Sequence, residues 1–427
     1  VADRRRRRWR LGARVAARKL LARTREVLLT EPTESDGLAA ERAGAETLAG
    51  SAGELRGGVA KVAQMTAYFR GPEAAASAAA RESLSALWDA ARPMEPERSR
   101  AVVEAELGAP IDELFGSWDD RPMAAASIGQ VHRATDRDGR PLAVKVQYPE
   151  VADALRSDLA SGRLVRQLAG AGAGRHLEEA AVAAIRDAVD RELDYRAEAA
   201  ALDRFRAAFA GDPDIVIPAP EHALSTERVL AMERLDGRPL ARVAGGGSET
   251  TRREVARILL RFAWESPLRH GLVNADPNPG NYLVIGDDAP RVGFLDFGCT
   301  VELTDHARAT DRALWQAMLA SDAFAAAEQF RSTLVDRGLV GDARLLHSER
   351  FRDWERVLTA PVLTRTGFVW DADYADQLTR ATGRLVAAGD LRLGRDLVML
   401  WRQRLGVAAV LGSLAVETNL RGCLRGC

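Results

Sequence analysis

Two short polar clusters near the middle of the chain restrict its fold more than any other feature. The first is Asn274-Ala-Asp276-Pro-Asn278-Pro-Gly280-Asn281 and the second is Gly293-Phe-Leu-Asp296-Phe297-Gly298. Each contains or follows a short apolar run, Leu272-Val273 in the first case and Phe294-Leu295 in the second. Apolar runs bounded by Gly, Pro, Asn and Asp read as short strands ending in turns. Asp276 and Asn281 are five residues apart, and Asp296 lies fifteen beyond Asn281. An Asp-Phe-Gly triplet alone arises often by chance. The ordered pair at this spacing, each on an apolar run, is far more restrictive.

Phosphoryl transfer on a protein-kinase scaffold needs an acid near the attacking oxygen. It also needs a neutral oxygen donor and a second acid to hold magnesium over the phosphates. Asp276, Asn281 and Asp296 supply those groups in the order D-x-x-x-x-N, then D-F-G. Upstream, Leu142-Ala-Val144-Lys145-Val146 reads as a strand closing a hairpin over Asp136-Arg-Asp138-Gly139. A lone strand lysine is usually a solvated edge residue. In this order of motifs Lys145 takes the place of the lysine that grips the α- and β-phosphates. The stretch Arg228-Val-Leu-Ala-Met232-Glu233 has two readings of equal weight. One is an ordinary edge strand; the other is a strand entering the hinge that receives adenine, with Met232 and Glu233 at the nucleotide.

Taken together, these residues resemble the UbiB family of atypical protein-kinase-like proteins, over about residues 55–300. Four further stretches carry the resemblance. Ala124-Ala125-Ala126-Ser127 looks like the family's alanine-rich loop, which stands where other kinases have glycines. Glu192-Leu-Asp194 looks like its E-x-D motif, Lys61-Val-Ala63-Gln64 its K-x-G-Q motif, and Asp276 to Asn281 its D-x-H-P-G-N loop. The resemblance implies a two-lobed, α+β protein-kinase-like fold with a helical N-terminal extension and a largely helical C-lobe. It implies ATP or ADP and Mg²⁺ as ligands. Lys145 would pair with Glu198, and Ala124 to Ser127 would face the phosphates. Asp276 would be the acidic residue of the catalytic loop, and Asn281 and Asp296 would hold the metal. Lys61 and Gln64 would gate the site with Glu192 and Asp194, Lys61 pairing with Glu192. Without the resemblance, Glu192 to Glu198 is a charged helix face, with Glu192 and Arg196 as an i,i+4 pair.

The chain departs from the family pattern at three positions. Ala63 stands for glycine, Asn274 for a residue that is often His, and Asn278 for the usual His before Pro-Gly. Asparagine keeps hydrogen bonding and loses a titratable group. Ala63 implies looser or shifted helix packing; the two asparagines favour a nucleotide-binding pseudokinase scaffold, whereas the intact Lys145, Asp276, Asn281 and Asp296 favour an enzyme. The alanine-rich segment restricts the close backbone approach that glycines allow. After Gly298 only a few residues precede a helix-like run, Asp305 to Phe330, and there is no A-P-E. A peptide-docking activation segment is therefore not expected. The expected acceptor is a lipid or quinone-precursor-related substrate in isoprenoid-quinone or membrane-lipid metabolism, and not a protein.

Lys+Arg number 60 against Asp+Glu 61, so the surface as a whole is not built for nucleic acid. Three cysteines in 427 residues rule out a disulfide scaffold and suit a reducing compartment. No run reaches the ~18 consecutive apolar residues of a membrane span. The expected organisation is a basic segment at 1–50 and a helical extension at 51–117. A sheet lobe with a helical insertion follows at 118–236, then a helical lobe at 237–427. The glycine clusters around Gly172 and at Gly245-Gly246-Gly247 read as linkers. His132 reads as a structural loop residue and not a base.

Arg4 to Arg8 precede Trp9, Leu11, Val15 and Leu20, a pattern that fits a basic amphipathic helix. Three readings stand for it: a solvated tail, a segment docking on anionic lipid, and a nucleic-acid contact. The expected location is the cytoplasm, with peripheral contact at the inner face of the membrane. Each basic residue near an anionic bilayer contributes about 1 kcal/mol. The lipid reading gives cosedimentation with anionic and not neutral liposomes, weakened by salt and lost on deleting residues 1–30. A deletion variant that still cosediments moves the contact to the body of the protein.

Overall fold

A computed structural model describes residues 93–126, 128–149, 193–319, 323–364 and 367–424. The basic N-terminal segment, Lys61, Gln64, Ser127 and Glu192 lie outside the described residues. The described chain falls into two compact units, the first within residues 93–139 and 144–193, the second within 140–143 and 194–424.

In the first unit, α1 (Pro96–Leu107) starts on a proline, whose missing N–H costs nothing at a helix start, and ends on Gly108 at φ 75°. After the short α2 (Ile111–Leu114) come β1 (Ser117–Trp118), β2 (Ala124–Ala126), β3 (Gly129–Thr135) and the larger part of β4 (Pro141–Gln147). Both β1 and β2 pair antiparallel with β3. The Asp138-Gly139 turn joins β3 to β4 as the sequence implies, with Gly139 at φ 82°. The alanine-rich segment is a strand and not a loop: Ala124 faces Val131 and Ala126 faces Gly129. Gly129 has no room for a side chain, because a methyl there would collide with the Val146 carbonyl.

His132 lies on β3, fully buried, and not in a loop. Its Nδ1 is 2.9 Å from the Asp119 carbonyl, which can only accept, so Nδ1 carries the proton. Nε2 then accepts from the Gln130 amide at 2.8 Å, and Gln130 Oε1 accepts from the Met94 N–H. The ring stacks on Trp118 at 4.6 Å. Every polar atom of the imidazole is used in its neutral form, and burial lowers its pKa below the ordinary value. The unfolded chain therefore takes up this proton first as pH falls, and the stabilisation from neutral His132 is lost as pH drops below ~6.5. Urea unfolding at pH 7.5 and 5.5 should show a drop that His132→Gln reduces; an equal drop in both proteins contradicts the assignment.

In the second unit, α3 (Tyr195–Ala208) is followed by β5 (Ile215–Val216), β6 (Val229–Glu233), β7 (Arg238–Pro239) and α4 (Leu240–Gly246). The glycine run closes α4 instead of linking domains: Gly247 N–H caps the Val243 carbonyl, and a methyl there would press on it. Helix α5 (Glu249–Glu265), N-capped by Ser248, leads through a wide turn at Ser266–His270 into β8 (Leu272–Asn274). Strands β9 (Tyr282–Ile285) and β10 (Arg291–Phe294) form an antiparallel pair within a sheet ordered β5-β10-β9-β7. Strand β11 (Thr300–Glu302) returns to pair with β8, Thr300 opposite Asn274.

The run expected as one helix from Asp305 is two, α6 (Asp305–Met318) and α7 (Ala323–Asp336), with Thr304 capping the first. Then come α8 (Glu349–Leu363), β12 (Phe368–Val369), α9 (Ala372–Ala387), α10 (Arg395–Leu414), β13 (Glu417–Thr418) and α11 (Leu420–Leu424). Among the described residues α10 alone is long and apolar enough to cross a membrane, yet 56% of its apolar window is buried within the protein. It buries Leu397, Leu400, Val407 and Leu411, as a core helix does. Phe262 of α5 stacks on Phe294 of β10 at 4.0 Å and on Phe205 of α3 at 5.9 Å. This aromatic layer is the floor on which the polar clusters stand.

Candidate functional site

The two clusters found in the sequence come together in the second unit as adjacent loops. The first leaves β8 and enters β9; the second leaves β10 and enters β11. Because β9 pairs with β10 and β8 with β11, two ladders hold the loops side by side. Asn274, buried at the end of β8, bridges them: its Nδ2 donates to the Asp296 carbonyl at 2.8 Å. Its Oδ1 accepts from the Asp276 N–H at 3.3 Å. The Ala275 N–H donates to the Cys299 carbonyl, and the Leu295 N–H to the Asn281 carbonyl.

Asn281 donates its side-chain amide to the Asp276 carbonyl at 3.3 Å. That fixes the nitrogen end of the amide and leaves the oxygen end for a cation. Asp296 Oδ1 accepts from the Gly298 N–H at 3.0 Å. Asn278 caps the short turn Pro279–Asn281 by accepting from the Gly280 N–H at 2.9 Å. Neither Asn274 nor Asn278 does anything here that needs a titratable group. One carboxylate and one amide oxygen suit a hard Mg²⁺, which uses few protein ligands and keeps waters and phosphate oxygens for the rest. Among the described residues there is no group of three or more His, Cys, Asp and Glu that could hold a metal. Asn281 and Asp296 are the two oxygen donors the loop pair offers to such a cation.

Helix α3 positions Glu198. Asp194 is its N-cap, accepting from the Arg196 N–H at 3.0 Å, and Glu198 sits in its first turn, where a carboxylate is favoured. Glu198 is buried, and its Oε1 accepts from the Phe297 N–H at 3.2 Å. The Phe297 ring packs on Phe205 of the same helix at 4.6 Å. The Asp-Phe-Gly loop is therefore tied to α3 by a charge-assisted hydrogen bond and by an aromatic contact. Lys145 is buried on β4 in the first unit; Glu198 belongs to the second. Ala124, Ala125 and Ala126 are on β2 of the first unit.

Met232 and Glu233 end β6, Met232 buried and Glu233 exposed. The Glu233 N–H donates to the Ala219 carbonyl at 2.8 Å, and Glu233 Oε2 accepts from the Ala219 N–H at 3.3 Å. The Glu233 amide is thus already engaged by its own chain, as in an edge strand.

Two residues of this neighbourhood were missed by sequence reasoning. Arg402 of α10 reaches Asp276, Nη2 to Oδ1, at 3.2 Å. The next residue, Gln403, accepts from the Asn274 N–H at 2.6 Å. The sequence signal was a polar triplet, Arg402-Gln403-Arg404, between the apolar runs Leu397–Trp401 and Leu405–Leu411 of α10.

The sequence profile of the ABC1 atypical kinase-like domain matches residues 86–330 of the chain. An uncharacterized protein of Mycobacterium tuberculosis (strain H37Rv) is 33% identical over 346 residues, covering 78% of this chain and 68% of the relative. The rat mitochondrial atypical kinase COQ8B is 36% identical over 210 residues, covering 48% of this chain and 39% of that protein. A solved complex of an M. tuberculosis protein with erythromycin, Rv3197, superposes with a TM-score of 0.67 at 28% identity. It covers 91% of this chain and 97% of that one.

Proposed function

The chain belongs to the ABC1 atypical kinase-like family, and from that premise we propose that it binds MgATP and hydrolyses it or transfers its phosphate to a lipid or quinone precursor. The observation that carries this reading is the joining of Asp276, Asn281 and Asp296 through Asn274 and the Asn281 amide into one loop pair. Asp276 takes the proton from the attacking oxygen. Asn281 and Asp296 hold magnesium, which when bound neutralises charge on the phosphates. Lys145, Glu198 and the Ala124–Ala126 strand serve the phosphates. Met232 and Glu233 serve adenine through groups other than the Glu233 amide. Lys61, Gln64, Glu192 and Asp194 gate the site, and the lobe limits follow the organisation expected from the sequence.

A small acceptor is favoured over a peptide because the residues after Gly298 fold straight back into β11 and then α6. The pathway, isoprenoid-quinone or membrane-lipid metabolism, rests on the family. A second reading, a nucleotide-gated scaffold with little turnover, is favoured by Asn274 and Asn278, whose side chains serve only to brace the loops. Phosphate release from MgATP, with and without quinone precursors, anionic liposomes and a macrolide, separates the two. Release that rises with one of the first two additions supports the enzyme. No release above buffer in any arm, with MgATP still bound, supports the scaffold. The macrolide arm is included because the structural neighbour was solved with erythromycin.

A further inference from the structure

We propose that α10 is the positioning element of the catalytic loop, and that Arg402 on it aims the Asp276 carboxylate. This inference rests on the phosphoryl-chemistry reading of Asp276. Three residues within one turn of α10 meet the loop from below. Arg402 Nη2 donates to Asp276 Oδ1 at 3.2 Å. Gln403 Oε1 accepts from the Asn274 N–H at 2.6 Å, while its Nε2 donates to the Ala263 carbonyl of α5 at 2.8 Å. Gly406, four residues after Arg402, lies against Pro277, where a methyl group would collide with the proline ring.

Each of the three contacts has a different physical function. Gln403 is fully buried, and its two polar ends fasten the end of β8 to α5 through α10. Gly406 lets the helix backbone approach the loop as closely as it does. Arg402 sets the direction of the reacting carboxylate. Pro277 follows Asp276 and has no N–H, so the next residue in the loop cannot hold that carboxylate. The other arm of the fork, Nη1, is 3.7 Å from Cys299 Sγ. One guanidinium thereby spans the catalytic loop and the segment just past Asp-Phe-Gly, the same two segments joined by the Ala275–Cys299 backbone bond.

The pair is enclosed: the Arg402 side chain is 15% exposed and that of Asp276 13%. Burial pulls Arg402 well below its ordinary pKa. A buried cation is retained where a carboxylate compensates it, and guanidinium is the weakly hydrated cation suited to that position. Removing one hydrogen bond to a charged group alters a reaction barrier enough to change a rate about 10–100-fold.

The test compares Arg402→Met, Arg402→Lys and Gly406→Ala with the wild-type full chain. Three quantities are read: steady-state phosphate release from MgATP, the thermal shift with MgATP, and amide hydrogen exchange over residues 272–281. Arg402→Met should lower kcat about 10–100-fold with KM for MgATP within about twofold. Exchange over 274–281 should quicken while the rest of the second unit is unchanged. Arg402→Lys should recover part of kcat, since it restores the charge without the fork. Gly406→Ala should lower kcat with Arg402 intact, and it carries the test with Arg402→Lys if the methionine variant does not fold. Wild-type kcat and exchange in Arg402→Met overturn the proposal. So does a loss of kcat, MgATP response and melting temperature together that lysine does not relieve, because that marks a merely structural residue. If the wild type itself releases no phosphate, the phosphoryl reading fails, and exchange over 274–281 alone decides whether Arg402 positions the loop.

Discussion

Asp276→Asn is expected to lower MgATP turnover by about 10²–10⁴-fold, the range for losing a positioned base, while MgATP binding stays close to wild type. The argument is geometric. Asparagine has the same shape and keeps an oxygen where Asp276 Oδ1 meets Arg402. The backbone bonds of residue 276, its N–H to Asn274 and its carbonyl to the Asn281 amide, are unaffected by the change. The loop therefore persists, and with it the oxygen donors of Asn281 and Asp296. What is lost is the capacity to take a proton, together with the charge opposite Arg402. A loss of 10²–10⁴ in rate corresponds to about 2.7–5.5 kcal/mol in the barrier. Phosphate release measured beside a MgATP thermal shift separates the two effects. Equal release by variant and wild type would mean that the observed turnover does not use Asp276, as in the scaffold reading or with a contaminating hydrolase.

Much of this site was legible because its motifs are local. Asp276 to Asn281 and Asp296 to Gly298 are short stretches at fixed offsets, and the strands that present them are marked by Leu272-Val273 and Phe294-Leu295. The Asp138-Gly139 turn was legible for the same reason. What the sequence hid depends on distant partners. Arg402 meets Asp276 across 126 positions and Gln403 meets Asn274 across 129. No local pattern encodes such a contact, and α10 reads as an apolar core helix.

The alanine segment is a strand for a related reason. Alanine has no strong preference for strand, and it is pairing with β3 that makes Ala124–Ala126 a strand. Gly245-Gly246-Gly247 looks like a linker by composition, but its function is to end α4 over the Val243 carbonyl. Asp194 carries a local cap signal. It precedes a helical run and has a glutamate four residues on, and it is in fact the cap of α3.

Asp296→Asn is the change expected to remove Mg-dependent nucleotide binding. Asp296 Oδ1 accepts from the Gly298 N–H, and asparagine can accept the same bond, so the turn after β10 is preserved. The Asp296 carbonyl still receives the Asn274 amide, and Glu198 still receives the Phe297 N–H. The substitution therefore removes one negative charge from the loop pair while these three hydrogen bonds are kept. A hard cation held by two protein oxygens, one of them neutral, depends heavily on that charge. Even changes to groups that merely support a metal ligand cost about 10–100-fold in affinity, so loss of the charged ligand itself is taken as at least about 100-fold. At a MgATP concentration about 100 times the wild-type Kd, binding stabilises the wild type by about 2.7 kcal/mol. A variant bound 100-fold more weakly gains only about 0.4 kcal/mol under the same conditions. A thermal-shift titration resolves that difference. It should be run with MgATP and with ATP in excess chelator, so that loss of the metal-dependent part is read apart from any metal-free binding. A variant that responds to MgATP like the wild type would sink the assignment of Asp296 as a magnesium ligand and move the metal to another oxygen of the site.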